Sequence, residues 1–368
     1  MKIAILGTRG IPNNYGGFEQ CAEKIGEHFV SKGHKVTVYN TDEHPFKGDE
    51  YRGIKIKRIF AKESKLKIWG TFIYDFLCLK DAVNSDFDII LNLGYVPSAL
   101  FFGLKGKTKA KFITNMDGLE WKRAKWGGFL KKFIRFCEKK AIKHSDFLIA
   151  DNEGIKDFYV KEFNVGNIVF IPYGAELFNS PKESVLKDYN IEKYRYYLLI
   201  ARLEPENNIE TILDGYLLSK VGDPFLVVGN YNTNYGRFLK ERYKIESNIR
   251  FLGGIYNFQV LSTLRMFSKL YFHGHSVGGT NPSLLEAMAS GCLIVAHNNV
   301  FNRNVLGEDG YYFRDIQDIK SVLTSFDQGI REKFLKNNRE KILKFYNWEM
   351  IGNKYLDVFE KALKQGQD

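Results

Sequence analysis

Short runs of apolar, often β-branched residues recur along the chain and alternate with stretches of helical spacing. The first half contains KIAIL, KVTVY, IKIKRIF, DIILNLG, KFITNMDG, FLIADN and IVFIPYG, and the second YYLLIARL, PFLVVGN, IRFLGG, LYFHGH and CLIVAH. Strands that are continuously hydrophobic are typical of parallel sheets covered by helices on both faces. The pattern therefore predicts an α/β protein with two doubly wound parallel sheets.

A polar segment containing Pro181, NSPKESVLKDYNIEKY, separates the strands of the two halves. At 368 residues the chain is longer than one hydrophobic core usually serves. We therefore expect one Rossmann-like domain over residues 1–178 and a second over 179–345. The remaining segment, 346–368, has apolar residues at helical spacing and predicts an amphipathic terminal helix.

The composition, with 44% hydrophobic and 26% charged residues, is that of a globular protein. No apolar run approaches the roughly 20 residues of a membrane span, and the opening MKIAILGTRG predicts a strand, not a signal peptide. The four cysteines form no CxxC pair and lie among apolar residues, which favours reduced, buried thiols in a cytoplasmic protein. The net charge of +11, concentrated in the N-terminal half, favours an anionic partner.

A glycine-rich loop, GTRGIPNNYGGFEQ, follows the first predicted strand and leads into a helix near Phe18. Glycines let the backbone approach a ligand closely, and a helix N-terminus accepts negative charge. We interpret Arg9, Gly10, Gly16 and Gly17 as contacts to an acceptor or a diphosphate, with a turn that binds no ligand as the alternative. The spacing is not GxGxxG, which argues against a dinucleotide site.

Three segments of the second half, ARLEPENNIE, GNYNTNYG and HSVGGTNPSLLEAMASG, each follow a predicted strand. They should converge, because ligands of parallel sheets bind beyond the carboxyl ends of the strands. The guanidinium of Arg202 suits phosphate oxygens, and the helix that begins near Pro282 supplies backbone donors. Glu286, one turn into this helix, is expected to accept hydrogen bonds from ribose hydroxyls. The alternative is that its carboxylate only interacts with the helix dipole, as acidic residues in first turns often do. The other predicted donor-binding residues are Glu206, Asn207, Gly229, His275, Gly278, Gly279, Thr280, Asn281 and Leu284.

The segment LLEAMASG, with its preceding glycine-rich turn and ARLEPEN upstream, resembles the donor half of family 4 glycosyltransferases, which have the GT-B fold. The segments GTRGIPNNYGGFEQ, DGLEWKRAKW and VGGTNPSLLEAMASG more narrowly resemble bacterial rhamnosyltransferases of capsule and cell-wall polysaccharide synthesis. The resemblance implies two Rossmann-like domains facing each other across a cleft, with the nucleotide-diphosphate sugar in the second and the acceptor in the first. It also implies retention of configuration, no metal or other cofactor, and a C-terminal helix that crosses back to the first domain.

Two positions depart from the wider family pattern. The family has two glutamates with seven residues between them, and Gly278 stands at the first position while Glu286 retains the second. Asn207 stands where a phosphate-binding lysine is expected, and a neutral amide cannot balance diphosphate charge. We expect the VGGTN segment to build the sugar pocket in place of the missing glutamate, which fits a deoxysugar.

Few polar residues of the first half are placed for the chemistry of transfer. Asp117 and Asp151 both end apolar strands and are expected to face the cleft, and Tyr173 ends the last strand. Asp151 could instead be the N-cap of a helix over residues 153–159, and Tyr173 could instead pack at a hinge.

Two further patterns carry weaker predictions. His273 and His275 have a spacing that could bind a metal, but no carboxylate or cysteine joins them, so we prefer His275 as a donor-site residue. Asp86, Phe87 and Asp88 spell a DxD motif, yet this motif precedes its strand, whereas a metal-binding DxD should follow one.

The stretch from Trp121 to Lys143 has nine basic residues and one acidic residue, interleaved with apolar residues. The apolar residues, which form one stripe at helical spacing, are Trp126, Phe129, Leu130, Phe133, Ile134 and Phe136. A basic amphipathic helix of this kind favours an anionic membrane surface, and the cluster Lys65, Leu66, Lys67, Ile68 and Trp69 strengthens that prediction. A core-facing helix with a solvated basic face is the alternative. No nucleic-acid-binding motif is present, so we expect no nucleic-acid partner.

Together these features predict a retaining glycosyltransferase that uses dTDP-rhamnose and acts on a polyprenyl-diphosphate-linked or growing glycan in surface polysaccharide synthesis. We expect it in the cytoplasm, peripherally bound to the inner face of the plasma membrane. The alternatives are another UDP- or GDP-sugar donor, a non-hydrolysing nucleotide-sugar epimerase and an inactive glycan-binding relative. An NAD-dependent oxidoreductase is disfavoured by the loop spacing.

Overall fold

The computed structural model describes residues 1–14, 16–66, 68–116, 118–122 and 126–365, apart from the side chains of Ser64 and Ile68. The chain forms two compact units, the first containing Met1–Lys122, Trp126–Tyr173 and the segment from Trp348 onward, and the second Gly174–Asn347. The first unit ends at Tyr173, whereas we expected the boundary at residue 178. The residues after Tyr173 bond within the second unit, because the amide of Ala175 donates to the carbonyl oxygen of Tyr346 and that of Phe178 to the carbonyl oxygen of Ala289. No helix in the described ranges is long and apolar enough to cross a membrane.

The first unit contains an eight-stranded sheet with the order β3-β4-β2-β1-β5-β6-β7-β8, parallel except for the β3–β4 pair. Its strands are β1 (Lys2–Leu6), β2 (Lys35–Thr41), β3 (Glu50–Tyr51), β4 (Ile54–Ile59), β5 (Ile89–Leu93), β6 (Lys111–Asn115), β7 (Phe147–Ala150) and β8 (Ile168–Phe170). Its α-helices are α1 (Gly17–Ser31), α2 (Glu63–Leu66), α3 (Ile68–Val83), α4 (Gly128–His144) and α5 (Glu153–Phe163), with 3₁₀ helices at Ser98–Lys107 and Glu120–Lys122.

The second unit contains a six-stranded parallel sheet with the order β11-β10-β9-β12-β13-β14. Its strands are β9 (Tyr197–Ile200), β10 (Phe225–Val228), β11 (Ile249–Gly253), β12 (Leu270–His273), β13 (Ile294–His297) and β14 (Tyr311–Phe313). Its helices are α6 (Ser184–Asp188), α7 (Ile209–Ser219), α8 (Asn234–Arg242), α9 (Phe258–Met266), α10 (Pro282–Ser290), α11 (Val300–Leu306), α12 (Ile316–Ser325) and α13 (Arg331–Phe345), with a 3₁₀ helix at Pro205–Asn207.

Both sheets are buried on both faces, which explains their continuously apolar strands. In the second unit, Tyr197, Phe225 and Phe272 on three neighbouring strands form one core with helix residues such as Ile212 and Ile319. The two parallel sheets confirm the predicted fold class. They also place the loops that follow β9, β10 and β12 at one edge of the second sheet.

The terminal helix α14 (Trp348–Lys364) belongs to the first unit. Its apolar face packs on α1, where the rings of Phe29 and Phe359 lie 5.4 Å apart. The side chain of Asn115, at the end of β6, donates a hydrogen bond of 3.4 Å to the hydroxyl of Tyr355. The helix thus returns the end of the chain to the fold in which it began.

Candidate active site

A pocket of about 160 Å³ lies at the carboxyl ends of β9 and β12, neighbouring strands in the middle of the second sheet. Its lining residues are Ile200, Ala201, Arg202, Asn207, His273, Gly274, His275, Asn281 and Ser283. Parallel sheets bind ligands beyond the carboxyl ends of their strands, so this is where the fold places a ligand. Of the predicted donor residues, the structure brings Arg202, Asn207, His275 and Asn281 together in the pocket wall.

Two glycines let the loops around the pocket approach each other closely. A Cβ atom on Gly274 would lie 1.9 Å from the carbonyl oxygen of Asn207, and one on Gly229 would lie 2.3 Å from that of Ala201. Neither position has room for a side chain. Gly229, predicted to contact the donor, therefore has a packing role between the ends of β9 and β10.

Asn207 links the loop after β9 to the loop after β12. Its Nδ2 donates to the carbonyl oxygen of Arg202 at 2.7 Å, and its Oδ1 lies 2.9 Å from Nδ1 of His275. The carbonyl of Glu206 accepts hydrogen bonds from both the amide and the hydroxyl of Ser276. The neutral amide at position 207 therefore fixes the shape of the pocket, whereas a lysine there would supply charge.

The start of α10 forms another part of the pocket wall. Asn281 is its N-cap, because Oδ1 accepts the amide of Ser283 at 2.9 Å. Gly278 has a φ of +119°, and a Cβ atom there would lie 3.2 Å from Nε2 of His275. The glycine therefore leaves the space beside the His275 ring open, at the point where the wider family has a glutamate.

Other predicted donor residues lie near the pocket without lining it. Gly279 is partly exposed and Thr280 is buried in the turn before α10. Leu284 was predicted to contact the donor, and the structure contradicts this for its side chain. That side chain is buried in the core of the second unit, and the Leu284 amide donates to the carbonyl of Asn281.

The pocket combines an exposed cation with neutral ring nitrogens. Arg202 is exposed and makes no ion pair with any residue that the structure describes. His273 is only 4% exposed, and its Nε2 has no hydrogen-bond partner among the described residues. Burial lowers the pKa of His273 well below its ordinary value, and His275, Arg265 and His297 lower it further. His273 is therefore a neutral imidazole that can exchange one hydrogen bond with a ligand.

The rings of His273 and His275 are neighbours. Their ring centroids are 6.1 Å apart. No group of three His, Cys, Asp or Glu side chains that could hold a metal ion occurs among the residues described.

Glu286 lies one turn into α10 and is paired with a buried arginine. Nη2 of Arg265 is 2.8 Å from Oε2 of Glu286 and 3.3 Å from Oγ of Ser283. Arg265 and Ser283 were not among the residues predicted from the sequence, and His273 was considered there only as a metal ligand. A charged residue inside the apolar stretch VLSTLRMF was a usable signal, since arginine is seldom fully buried without a partner.

Arg9 and Gly10 of the glycine-rich loop contact other residues of the first unit. The guanidinium of Arg9 lies 3.3 Å from Oε1 of Glu63 and 3.3 Å from the hydroxyl of Thr71. Gly10 has a φ of +124°, and a Cβ atom there would lie 2.4 Å from Cγ of Asn40. Both residues therefore have a structural explanation inside the unit.

The helix that follows this loop begins as predicted. Gly16 is the N-cap and Gly17 the first residue of α1. Oε1 of Glu19, in the first turn, accepts the backbone amide of Arg9 at 2.8 Å. A carboxylate in the first turn of α1 thus binds a backbone amide of the loop that we assigned to an anionic ligand.

The predicted catalytic residues of the first half are buried or lie outside the described residues. Asp117 is outside them. Asp151 is only 2% exposed, whereas we expected it to face a cleft; its charge, secondary to burial, helps to raise the pKa of Cys21 to about 12. The N-cap of α5 is Asn152, not Asp151, because Oδ1 of Asn152 accepts the amide of Gly154. Tyr173 is buried, with its ring 6.5 Å from that of Phe18.

The DxD motif lies at the amino ends of β1 and β5. Oδ2 of Asp88 accepts the backbone amide of Lys2 at 2.6 Å, and Asp86 is paired with the Lys2 ammonium. The motif therefore lies at the edge of the sheet opposite the carboxyl ends of the strands.

Comparisons with known proteins agree with this architecture. Residues 1–176 match the family model described as a domain of unknown function, DUF1972, and residues 181–341 match glycosyl transferases group 1. Sucrose-phosphate synthase from Thermosynechococcus elongatus superimposes with a TM-score of 0.81 at 16% identity, covering 99% of each chain. Anabaena HepE, solved with UDP and glucose, gives 0.75 at 15% identity, covering 98% of this chain and 100% of HepE.

A structure described as trehalose-6-phosphate from E. coli bound with UDP-2-fluoro glucose gives a TM-score of 0.74 at 12% identity, covering 98% of this chain and 99% of that chain. No curated protein sequence matches the chain significantly. The second half of the chain is thus similar to the group 1 glycosyl transferases, and the two parallel-sheet units have the GT-B fold. The protein is a glycosyltransferase.

Proposed function

We propose that the second unit binds a nucleotide-diphosphate sugar, and that the protein transfers this sugar with retention of configuration. The observation that carries the proposal is the pocket in which the exposed guanidinium of Arg202 meets the N-terminus of α10. A helix N-terminus and an arginine both bind phosphate oxygens well. The Anabaena protein was solved in complex with UDP and glucose, and the E. coli structure is described as bound with UDP-2-fluoro glucose.

Within this proposal, three groups of residues bind the three parts of the donor. Arg202 and the amides at the start of α10 bind the diphosphate, and Glu286 binds a ribose hydroxyl. His275, beside the side-chain-free Gly278, faces the sugar. This arrangement leaves the diphosphate with one cationic side chain, because Asn207 is neutral.

We propose dTDP-rhamnose as the preferred donor and a polyprenyl-diphosphate-linked or growing glycan as the acceptor, in surface polysaccharide synthesis on the cytoplasmic side of the membrane. The support is the resemblance of GTRGIPNNYGGFEQ and VGGTNPSLLEAMASG to bacterial rhamnosyltransferases. Gly278 adds to it, since a deoxysugar has fewer hydroxyls for a carboxylate to bind. A UDP-sugar is the second candidate, and the UDP-glucose complex of HepE favours it.

A donor screen tests the proposal. Purified protein is incubated with dTDP-rhamnose, dTDP-glucose, UDP-glucose and GDP-mannose, and thermal shift and release of nucleotide diphosphate are measured. A ligand that binds only the folded state raises the apparent stability, so the donor should raise the melting temperature and be consumed. Release of no nucleotide diphosphate, together with formation of an epimer, would instead identify a nucleotide-sugar epimerase. Binding without any turnover would identify an inactive glycan-binding relative.

We also propose that one face of the first unit binds an anionic membrane surface. Phe129 at the start of α4 is 88% exposed and Trp69 on α3 is 70% exposed. The rings of Trp69, Phe72 and Phe133 form a chain with centroid distances of 6.0 and 5.9 Å, which joins α3 to α4. Exposed aromatic residues among lysines are typical of helices that lie in the membrane interface.

A basic groove of about 410 Å³ supports this proposal. It is lined by Trp121, Lys131, Lys132, Arg135, Phe136 and Lys139. The predicted single apolar stripe is divided in the structure, because Ile134 packs inward whereas Phe129 and Phe136 remain exposed. Lys67 and the side chain of Ile68, part of the second predicted cluster, lie outside the described residues.

Vesicle sedimentation tests the membrane proposal. Vesicles with phosphatidylglycerol should retain the protein, and neutral phosphatidylcholine vesicles should not. Replacing Lys131 and Lys132 by Gln should weaken binding roughly 30-fold, since each basic residue near the surface contributes about 1 kcal/mol. Phe129→Ser should weaken binding as well, whereas Tyr256→Ser, which removes an equally exposed ring of the second unit, should not. Equal binding to both vesicle types would contradict the proposal.

A further inference from the structure

A buried guanidinium lies beside the residues of the donor pocket. Arg265, in the last turn of α9, is only 1% exposed. Its Nη2 contacts both Oε2 of Glu286 at 2.8 Å and Oγ of Ser283 at 3.3 Å. Ser283 lines the pocket, and Glu286 lies one helical turn further along α10. One side chain therefore holds two polar groups of the same helix.

Stability of the fold does not explain this arrangement. Burying an ion pair is often no better for stability than apolar side chains of the same volume. In addition, Nε and Nη1 of Arg265 have no hydrogen-bond partner within the described part of the chain. The guanidinium thus makes polar contacts through Nη2 with Glu286 and Ser283, and its other two nitrogens add no hydrogen bond to the described residues that would stabilise the fold.

The contacts continue to the strand that carries Arg202. The hydroxyl of Tyr271 is 2.9 Å from Oγ of Ser283 and donates a bond of 3.4 Å to the carbonyl of Ile200, the last residue of β9. The Arg265 guanidinium also lies over the Tyr271 ring, 5.8 Å from its centroid. Arg265, Tyr271 and Ser283 therefore connect the start of α10 to the carboxyl end of β9, two of the elements that line the pocket.

We propose that Arg265 is a positioning residue that orients the Glu286 carboxylate and the Ser283 hydroxyl toward the nucleotide. A flexible glutamate binds a ligand well only if its rotamer is restricted, and a charge-assisted hydrogen bond from a buried donor restricts it. The contact from Arg265 to Oε2 restricts the carboxylate that accepts the ribose hydroxyl. The inference rests on the proposed nucleotide site and adds the residue on which the ribose contact depends.

A comparison of nucleotides with and without the 3′-hydroxyl tests this role. Dissociation constants are measured by calorimetry for UDP and dTDP and for their 3′-deoxy counterparts. In the native protein, loss of the hydroxyl should weaken binding about tenfold or more, because hydrogen bonds to charged groups contribute roughly 1.5–3 kcal/mol. Arg265→Met should weaken binding of the normal nucleotides by a similar factor and leave the 3′-deoxy nucleotides nearly unchanged. A merely structural defect would weaken all four nucleotides equally.

Three further variants separate the possible outcomes. Arg265→Lys keeps the buried charge and allows the same comparison if Arg265→Met fails to fold. It should retain only part of the native discrimination between nucleotides with and without the 3′-hydroxyl. Lys269→Met removes another partly buried ion pair, with Asp223 at 2.8 Å, at the amino end of β12, and it should preserve discrimination. The double variant of Arg265→Met with Glu286→Gln should discriminate no less than Glu286→Gln alone.

The two hypotheses fail in different ways. If Glu286→Gln still distinguishes the hydroxyl, the proposed ribose contact is wrong. If Glu286→Gln loses the discrimination but Arg265→Met and Arg265→Lys keep it, the site stands and the positioning role of Arg265 is wrong.

Discussion

The two units have similar loops after their first strands, but they use the polar groups of those loops differently. In the first unit, Arg9 follows β1 and is paired with Glu63. In the second unit, Arg202 follows β9, is exposed and lines a pocket. The same place in a parallel sheet thus gives an internal ion pair in one unit and an open cation in the other. An arginine after a strand indicates a ligand site only when the protein leaves its charge uncompensated.

The largest effect should come from the two arginines themselves. Arg202→Met should weaken nucleotide binding roughly 10- to 100-fold, because it removes charge-assisted hydrogen bonds to phosphate. Arg9→Met should leave the nucleotide dissociation constant unchanged and lower the unfolding free energy of the first unit. Calorimetric titration with UDP and dTDP measures the first effect. Equal losses of affinity in the two variants would remove the distinction between the units.

Urea unfolding followed by tryptophan fluorescence measures the second effect. All four tryptophans, Trp69, Trp121, Trp126 and Trp348, lie in the first unit, so their emission reports on that unit. Unchanged unfolding of Arg9→Met would show that the partly buried ion pair with Glu63 contributes nothing measurable.

Two glycine substitutions should separate packing from binding. Gly10→Ala places a methyl group against Asn40 and should lower the stability of the first unit by about 1–3 kcal/mol without changing nucleotide binding. Gly274→Ala places one against the Asn207 carbonyl and should cost the second unit a similar amount. Only Gly274→Ala should also weaken nucleotide binding, because it separates the loops that carry Arg202 and His275. Unfolding curves and calorimetry together measure both properties.

The two units should respond to pH in opposite directions. Burial raises the pKa of Asp75 in the first unit from 3.8 to about 7. Between these values the unfolded chain has lost the proton that the folded unit keeps, so the first unit loses stability as pH rises from about 4 to 7. Asp75→Asn should abolish this dependence in urea unfolding followed by tryptophan fluorescence. A wild-type first unit that gains stability over this range would contradict the prediction.

In the second unit, the lowered pKa of His273 has the reverse consequence. The unfolded chain takes up a proton below about pH 6.5, and the folded unit does not, so stability falls with falling pH. His273→Asn should reduce this loss. Pulse proteolysis in urea, with fragments of the second unit followed by mass spectrometry, measures it.

The smallest effect should come from the DxD motif of the first unit. Asp86→Asn should leave glycosyl transfer unchanged, since its carboxylate pairs with Lys2 at the amino ends of the strands. Transfer should also be insensitive to a chelator. Loss of transfer in Asp86→Asn, with recovery at high metal concentration, would overturn this prediction.

Prediction from sequence succeeded where a feature depends on local pattern. The buried parallel strands, the helix beginning at Pro282 and the terminal helix follow from hydrophobic periodicity and capping residues. The strands β3 and β14 were missed, because each is short and neither lies in a longer apolar run such as the one that contains β8. The N-cap of α5 was assigned to Asp151 as an alternative, and the structure uses Asn152, because boundaries are poorly defined by pattern alone.

The amino-acid sequence alone was enough to predict two parallel-sheet domains and a candidate site beyond the strands of the second half. This was possible because strand ends, glycines and helix starts are encoded locally. Which polar groups remain open to a ligand depends on contacts between segments that are distant in the chain. Arg9 and Arg202 look alike in the sequence, yet Glu63 compensates one and no described residue compensates the other. The Arg265–Glu286 pair is also invisible in the sequence, because it joins two helices separated by a strand.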